Sequence, residues 1–122
     1  NGRQRKSYLH VDDCVSAMLS RLGHDPQIEV LNLGRDEYCT VNDSVVWITK
    51  RMGVEPDLTY SGGDRGWVGD NPFILLDTTR IRSFGWEPAH SIRASVEATV
   101  DWLLANPEVL DTAVTQQDLF AR

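Results

Sequence analysis

Apolar side chains recur along this chain at helical and strand-like spacings, and these spacings predict its secondary structure. At 15–22, 41–52 and 92–104 the apolar residues lie three or four positions apart, which is typical of helices that bury one face. The run at 28–33 is mostly apolar, contains β-branched residues and stops at Gly34, which favours a buried strand. The hydrophobic pattern therefore predicts a domain that mixes helices with strands.

Glycine, proline and capping residues mark where these elements begin and end. The predicted order is a strand at 6–11, a helix ending at Gly23, a strand at 28–33, a helix at 41–52, a strand at 57–60, a glycine-rich loop at 61–72, an extended piece at 73–76 and two C-terminal helices. Asp12 or Asp13 can cap the first helix, and Thr40 with Asp43 resembles a capping box for the second. The second helix has a predicted buried face, formed by Val41, Val45, Ile48 and Met52.

The stretch 77–88 predicts one short helix followed by a sharp corner. Asp77 can accept hydrogen bonds from the free N–H groups of the first turn, and Gly85 permits the backbone to reverse. Ser91 then caps the last predicted helix, which buries one face on a core. Trp86 lies at the corner, where its large ring can hold the two C-terminal helices together.

The composition is that of a globular protein. Of the 122 residues, 41% are apolar and 25% are charged, which fits one domain or a piece of one. The net charge of −6 argues against a nucleic-acid-binding surface, and no apolar run approaches the roughly 20 residues that cross a bilayer. Because the chain starts at Asn1 and not at a methionine, we interpret it as a piece of a longer protein. Cys14 and Cys39 form no CxxC motif, so we expect reduced thiols and a cytoplasmic location.

Four segments carry a family resemblance in a constant order. They are GRQRKSYLHVDDCVSAML at 2–19, EVLNLGRDEYCTVNDSVVWI at 29–48, GDRGWVGDNP at 63–72 and DTTRIRSFGWEP at 77–88. Together they resemble the C-terminal end of the extended short-chain dehydrogenase/reductases, and more narrowly the NAD-dependent nucleotide-sugar epimerases and dehydratases. The resemblance implies an α/β fold, a mixed fragment with a small sheet and about four helices that lacks most of the Rossmann sheet. It implies a substrate-binding portion at 1–106 and leaves 107–122 as either a peripheral helix or a mobile tail.

The resemblance also implies a substrate site at the first strand and at the glycine-rich loop. Lys6 stands where the family usually has a phosphate-binding arginine; it supplies the charge but not the bidentate fork. The neighbouring Arg5 could substitute, although it should point to the other side of the strand. Gln4 falls on the family's substrate-side glutamine. The family usually places an arginine two residues before a Gly-Asp pair in the loop, but Trp67 occupies that position here and Arg65 lies two residues earlier. The implied substrate-binding residues are Gln4, Arg5, Lys6, Arg65, Trp67 and Asp70.

Two interpretations of these basic residues stay open. Arg65 can reach the same phosphate while Trp67 stacks on a base or a sugar. Alternatively, Arg65 is a solvated surface residue and Trp67 is packed. The basic residues among the first six positions, Arg3, Arg5 and Lys6, form either a local anion site or a solvated end of the chain.

The chain lacks the motifs with which the family binds NAD and transfers hydride. Gly63, Gly66 and Gly69 match GxxGxxG after a predicted strand, but turn residues follow Gly69 where a dinucleotide fingerprint needs a helix. No tyrosine is followed four positions later by a lysine, so the family's catalytic pair is absent. We therefore predict no catalytic and no cofactor-binding residue here. The resemblance assigns both, together with NAD, to an N-terminal Rossmann part.

We predict no metal site, because His10, His24 and His90 lie far apart in the sequence and none has a ligand spacing with a cysteine or a carboxylate. His10 with Asp12 could be imagined as a hydrolase pair, but no serine has the context of a nucleophile. An independent hydrolase is the weakest of the functions considered.

The leading hypothesis is the nucleotide-diphosphate-sugar-binding part of an NAD-dependent epimerase or dehydratase, inactive by itself. The alternative is a non-catalytic interaction domain on the same scaffold, which binds a partner or itself through an exposed sheet edge. The base, the sugar, the type of reaction and the oligomeric state depend on residues that this sequence does not contain.

Overall fold

A computed structural model describes residues 1–23, 30–66, 69–71 and 73–109. Its elements are β1 (Arg5–Lys6), α1 (Val11–Ser20), β2 (Cys39–Thr40), α2 (Val41–Met52), α3 (Thr79–Arg82) and α4 (Ile92–Ala105). A further helical turn occupies 107–109. None of the helices in these ranges is long and apolar enough to cross a membrane. The predicted class, a mixed α/β fragment with a small sheet, is confirmed.

The two short strands join the N-terminus to α2. β1 and β2 are antiparallel, with Arg5 opposite Thr40. The pairing continues past the sheet, because the N–H of Asn42 donates to the carbonyl of Gly2 at 3.0 Å. Gly2 has φ +72°, and a Cβ built there would lie 1.9 Å from the side-chain oxygen of Asn42. Only glycine therefore fits this crossing of the two segments.

The strands are shorter than the sequence predicts. The first strand spans Arg5–Lys6 and not 6–11, and residues 30–34, 57–60 and 73–76 have no strand partner among the described residues. A strand forms only where a neighbouring chain segment satisfies its N–H and C=O groups. Val30 remains 78% exposed, although its sequence context is that of a buried strand. The first two residues of the predicted 28–33 strand lie outside the described ranges.

The helix ends largely follow their capping residues. Thr40 accepts from the N–H of Asp43 at 3.1 Å, while the Asp43 carboxylate accepts from the N–H of Thr40 at 2.8 Å, so the predicted capping box is confirmed. Asp77 accepts from the N–H of Thr79 at 2.9 Å. Ser91 caps α4 as predicted.

The predicted cap of α1 is wrong. Neither Asp12 nor Asp13 caps this helix; the ring nitrogen Nδ1 of His10 accepts from the N–H of Asp12 at 3.2 Å. Asp13 is instead buried, with 3% of its surface exposed. A carboxylate in the first turn of a helix can point into the protein when N–H groups of another segment bind it. Asp13 has two such donors outside α1, the backbone N–H groups of Ala89 and His90.

The core lies between α1 and the corner that follows α3. Ala17, Ile81 and Trp86 form its buried cluster, and three partly buried residues pack on it, namely Leu9, Leu31 and Leu33. The indole N–H of Trp86 donates to the hydroxyl of Ser16 at 3.0 Å. Trp86 was predicted to hold the two C-terminal helices together, whereas its observed cluster partners join α3 to α1. The corner itself is as predicted, since Gly85 has φ +85°.

Helices α2 and α4 pack against each other. The guanidinium of Arg51 bridges them by bonding both carboxylate oxygens of Asp101, at 2.5 and 2.6 Å. The predicted buried face of α2 is only partly right, because Met52 is 46% exposed and only Ser44 of this helix is fully buried.

Cys39 is a buried free thiol whose pKa is raised by burial.

The apolar residues of α1 face solvent. Ala17 is the only apolar residue of this helix that is fully buried. The four apolar side chains that were predicted to be buried at helical spacing are 46% to 69% exposed. They are Val15, Met18 and Leu19 of α1, and Leu22 just after its end. Apolar side chains at helical spacing normally mark a face that packs on other protein.

Candidate functional site

The first strand and the glycine-rich loop meet at an ion pair. The ammonium of Lys6 donates to the carboxylate of Asp70 at 2.5 Å and to the carbonyl of Asn71 at 2.9 Å. The second oxygen of Asp70 accepts from the N–H of Gly66 at 3.0 Å. The pKa of Asp70 is lowered, first by the hydrogen bond from Lys6 and then by that from Gly66. Two predicted site residues, 64 positions apart, are thus in direct contact.

The neighbouring Arg5 lies against aromatic rings. Its guanidinium carbon is 3.9 Å from the ring centre of Phe73 and 5.2 Å from that of Tyr38. The two rings meet edge to face at 5.4 Å. Such cation–π contacts hold the face of the guanidinium, while its N–H donors point outward in the plane of the group. Arg5 is therefore positioned with donors available for an anion.

Two cavities flank β1. Arg5, Lys6 and Asp70 line a cavity of about 420 Å³. The sequence suggested that Arg5 and Lys6 would point to opposite sides of the strand, but both line this one cavity. Gln4 and Arg65 line a second cavity of about 270 Å³. The predicted residues are thus brought to the same end of the molecule but divided between two spaces. Trp67 lies outside the described residues.

The loop that carries Arg65 is held by polar contacts to the N-terminal segment. The amide of Asn1 donates to the carboxylate of Asp64 at 3.1 Å, and the hydroxyl of Tyr60 donates to the side-chain oxygen of Asn42 at 2.9 Å. Gln4, by contrast, is buried, with 6% of its surface exposed. Arg65 is exposed at the mouth of the second cavity.

The chain does not provide a dinucleotide site at its glycine triplet. Pyrophosphate binding needs a helix to begin after the last glycine, so that free N–H groups meet the anion. After Gly69, the described residues Asp70, Asn71 and 73–78 are not helical. The described residues after Gly69 therefore do not form the helix start that a dinucleotide fingerprint needs.

A second polar cluster lies at the start of α1, and the sequence did not reveal it. The carboxylate of Asp13 accepts from the N–H groups of Ala89 and His90 at 2.9 and 3.1 Å, and from the His90 ring nitrogen Nδ1 at 3.0 Å. Burial by itself raises the pKa of Asp13, but these hydrogen bonds outweigh it and leave the pKa lowered. The His90 ring stacks on His10 with 4.3 Å between centres. Because His10 and His90 are 80 positions apart in the sequence, no local pattern indicated this contact.

An apolar cavity of about 600 Å³ lies between residues 8–11, α2 and α4. Most of its lining is aliphatic, from Ile48 and Met52 on one helix and from Val96, Val100 and Leu103 on the other. His10 also lines this cavity.

Comparison with known proteins gives several relatives, although no family model matches the chain. GDP-L-fucose synthase 1 of Arabidopsis thaliana is 30% identical over 105 residues, which are 86% of this chain and 32% of that protein. The solved UDP-glucose 4-epimerase of Thermotoga maritima, with UDP-glucose, is 27% identical with a TM-score of 0.75, covering 87% of this chain and 33% of that one. The dTDP-glucose 4,6-dehydratase of Bacillus anthracis, in complex with NAD, is 26% identical with a TM-score of 0.72, covering 88% and 34%.

The chain therefore spans about a third of the length of the relatives that it matches. The matched part of the solved relatives is their C-terminal third. The resemblance that the four sequence segments carry is confirmed by these comparisons.

Proposed function

Because the chain is a relative of the extended short-chain dehydrogenase/reductases that include nucleotide-sugar epimerases and dehydratases, we propose that it is the substrate-binding part of such an NAD-dependent enzyme. This proposal rests on one observation: Arg5 and Lys6 line the same cavity. Asp70 of the glycine-rich loop also lines this cavity and pairs with Lys6.

The diphosphate of a nucleotide sugar binds at Arg5 and Lys6. An ammonium group has three N–H donors, and Asp70 and Asn71 engage two of those on Lys6, so one remains for a phosphate oxygen. Arg5 adds a planar fork of donors whose face is already held by Phe73. In this arrangement Asp70 is not a substrate ligand; it orients Lys6.

The second cavity takes another portion of the nucleotide. Gln4 offers a buried amide and Arg65 an exposed guanidinium at its mouth. Trp67, as a substrate-binding residue, stacks on the base or the sugar. The two cavities are lined by the adjacent residues Gln4 and Arg5, so one extended ligand with two chemically different ends suits them.

Positioning the sugar is the catalytic contribution of this part. NAD, which exchanges hydride with the sugar in such enzymes, is bound by a separate N-terminal Rossmann part. That part also supplies the reacting tyrosine and lysine. The 122-residue chain alone therefore has no epimerase or dehydratase activity. Turnover of UDP-glucose or dTDP-glucose by the purified chain with NAD would contradict this.

Calorimetric titration tests the binding role. UDP-glucose and UDP should bind saturably, whereas uridine, which lacks the diphosphate, should not. Arg5→Ala and Arg65→Ala should each weaken binding by about tenfold, the effect of losing one charged hydrogen bond of about 1.4 kcal/mol. Arg93→Ala is the matched control, because Arg93 lies on α4 and pairs with Glu97 at 2.7 Å. Equal affinity for UDP and uridine would argue against a diphosphate site at Arg5 and Lys6.

The exposed apolar face of α1 favours a second candidate, a non-catalytic interaction domain. In the leading proposal this face is covered by the N-terminal part; in the alternative it is covered by a partner or by a second copy. Self-association with no affinity for any nucleotide sugar would favour the alternative. In either case the two free thiols, Cys14 and Cys39, suit a cytoplasmic location.

A further inference from the structure

We propose that His10, His90 and Asp12 form a binding site for one divalent transition-metal ion such as Zn²⁺. One ligand atom from each of the three side chains lies within 4.8 Å of the other two. None of these residues lines either of the two cavities of the proposed nucleotide-sugar site. The site is therefore separate from the proposed nucleotide-sugar site and does not depend on it.

The buried Asp13 prepares His90 for an ion. Metal-binding histidines typically donate their second ring N–H to a carboxylate, which fixes the tautomer and makes the first nitrogen a better ligand. The Nδ1 of His90 lies 3.0 Å from a carboxylate oxygen of Asp13, and backbone N–H groups of Ala89 and His90 hold that carboxylate in place. With the proton on Nδ1, the Nε2 of His90 carries the lone pair that an ion needs.

His10 presents a ring nitrogen as a hydrogen-bond acceptor in this structure. Its Nδ1 accepts from the N–H of Asp12, so the ring is unprotonated at that nitrogen. The same nitrogen lies 3.6 Å from the carboxylate of Asp12. An ion that takes this lone pair competes with the cap of α1, and it gains the Asp12 carboxylate, which is 75% exposed and can rotate inward. A small rearrangement at the helix start is thus part of binding.

Binding one ion requires the ligand atoms to move closer together and one ring to rotate. Ligand atoms on one tetrahedral Zn²⁺ lie about 3.4 Å apart, given metal–ligand bonds of about 2.1 Å. The two rings are stacked at an interplanar angle of 27°, so their lone pairs lie side by side until one ring rotates about its side-chain bonds toward the other nitrogen. The His10 and His90 side chains are 13% and 34% exposed. The site therefore lies at the surface, where water completes the coordination.

The electrostatics favour a cation. Asp12 and Asp13 together place two carboxylates beside the histidine pair. Among the described residues, Arg35 donates to the backbone carbonyls of Pro88 and His90, and its charge is paired with Glu37 at 2.6 Å. Two neutral imidazoles with a carboxylate suit Zn²⁺ and its transition-metal neighbours better than Ca²⁺ or Mg²⁺, which prefer oxygen ligands.

Calorimetric titration of the tag-free 122-residue chain with zinc chloride tests the site. The expected result is saturable binding of one ion per chain. His90→Gln and Asp12→Asn should lower the affinity, His90→Gln by at least about tenfold. His24→Gln is the matched control and should leave the affinity unchanged. A loss in His24→Gln as large as in His90→Gln, or the absence of saturable binding up to millimolar Zn²⁺, would overturn the proposal.

A measurement on the unaltered chain removes any dependence on how the variants fold. Substoichiometric Cu²⁺ broadens the NMR signals of nearby imidazoles, so the ring signals of His10 and His90 should weaken together and before those of His24. Calcium at the same concentration should leave all three unchanged. Broadening of His24 first, or of only one of the two stacked rings, contradicts a shared site.

Discussion

The two sides of α1 have opposite surroundings. On one side, Asp13 and Ala17 are buried and have well-defined partners in the corner after α3. On the other side, Met18 and Leu19 are about 60% exposed, although they follow the helical period. One helix thus buries a carboxylate and leaves aliphatic side chains in water. The difference teaches that hydrophobicity alone does not decide which face is buried; the available partners do.

Our proposal explains this contrast. The corner is completed by residues of this chain, whereas in the proposed enzyme the outer side of α1 and the segment 30–34 pack against a sheet of the N-terminal part. The N-terminal part would supply that sheet, and with it the strand partners that Val30 and its neighbours lack. Each side of the helix can be tested separately.

The largest expected effect is at the buried side. Trp86→Ala should lower the free energy of unfolding by about 4 kcal/mol, because a buried ring leaves a cavity. Trp86→Phe keeps most of the ring and loses the bond to Ser16, so it should cost about 1 kcal/mol from that bond. Urea denaturation measures both.

Trp102 is the control for that comparison, since it is 54% exposed on α4. Trp102→Ala should cost about 1 kcal/mol or less. If both tryptophan-to-alanine changes were equally costly, the corner would not be the core of the fold.

Removal of the buried carboxylate should have the next largest effect. Asp13→Ala leaves the N–H groups of Ala89 and His90 without their acceptor, which should cost about 3 kcal/mol. Asp12→Ala, at an exposed carboxylate one position earlier, should cost about 0.5 kcal/mol through the helix dipole. The unfolding of both variants is measured in the presence of a chelator. Similar losses would show that burial does not distinguish the two residues.

A smaller effect tests an interaction that the sequence did predict. The pKa of Asp43 is lowered from its ordinary value of 3.8 by the hydrogen bonds from the side chain and backbone of Thr40. The unfolded chain therefore binds a proton at higher pH than the folded chain, and stability is lost as the pH falls below about 3.8. Asp43→Asn should reduce the slope of stability against pH in that range, measured by urea denaturation. An unchanged slope would show that the capping box does not hold in solution.

The smallest effect on stability is expected on the exposed side of α1. Leu19→Lys should change the free energy of unfolding by less than about 0.5 kcal/mol, whereas Ala17→Leu, on the buried side, should cost about 2 kcal/mol by overpacking. Leu19→Lys should nevertheless weaken any self-association, measured by sedimentation, because it places a charge in the apolar face. Strong destabilisation by Leu19→Lys would mean that this face is already packed within the chain.

The candidate site divides in the same way between what could and what could not be predicted. Family resemblance brought Lys6 and Asp70 to attention separately, but nothing in the sequence indicated that they pair with each other. Arg5 was expected on the far side of its strand, and yet it lines the same cavity as Lys6. His10 and His90 were set aside for their distance in the sequence, and the fold stacks them.

By itself, the sequence determined the features that depend on near neighbours along the chain. The capping box at Thr40, the full extent of α2, the cap at Ser91 and the reversal at Gly85 are fixed by hydrogen bonds and backbone angles that span a few residues. The tertiary structure alone decided which faces are buried and which apolar runs pair as strands. Those outcomes depend on partners far along the chain, as Asp13 depends on the N–H groups of Ala89 and His90, and a local pattern carries no information about where such partners lie.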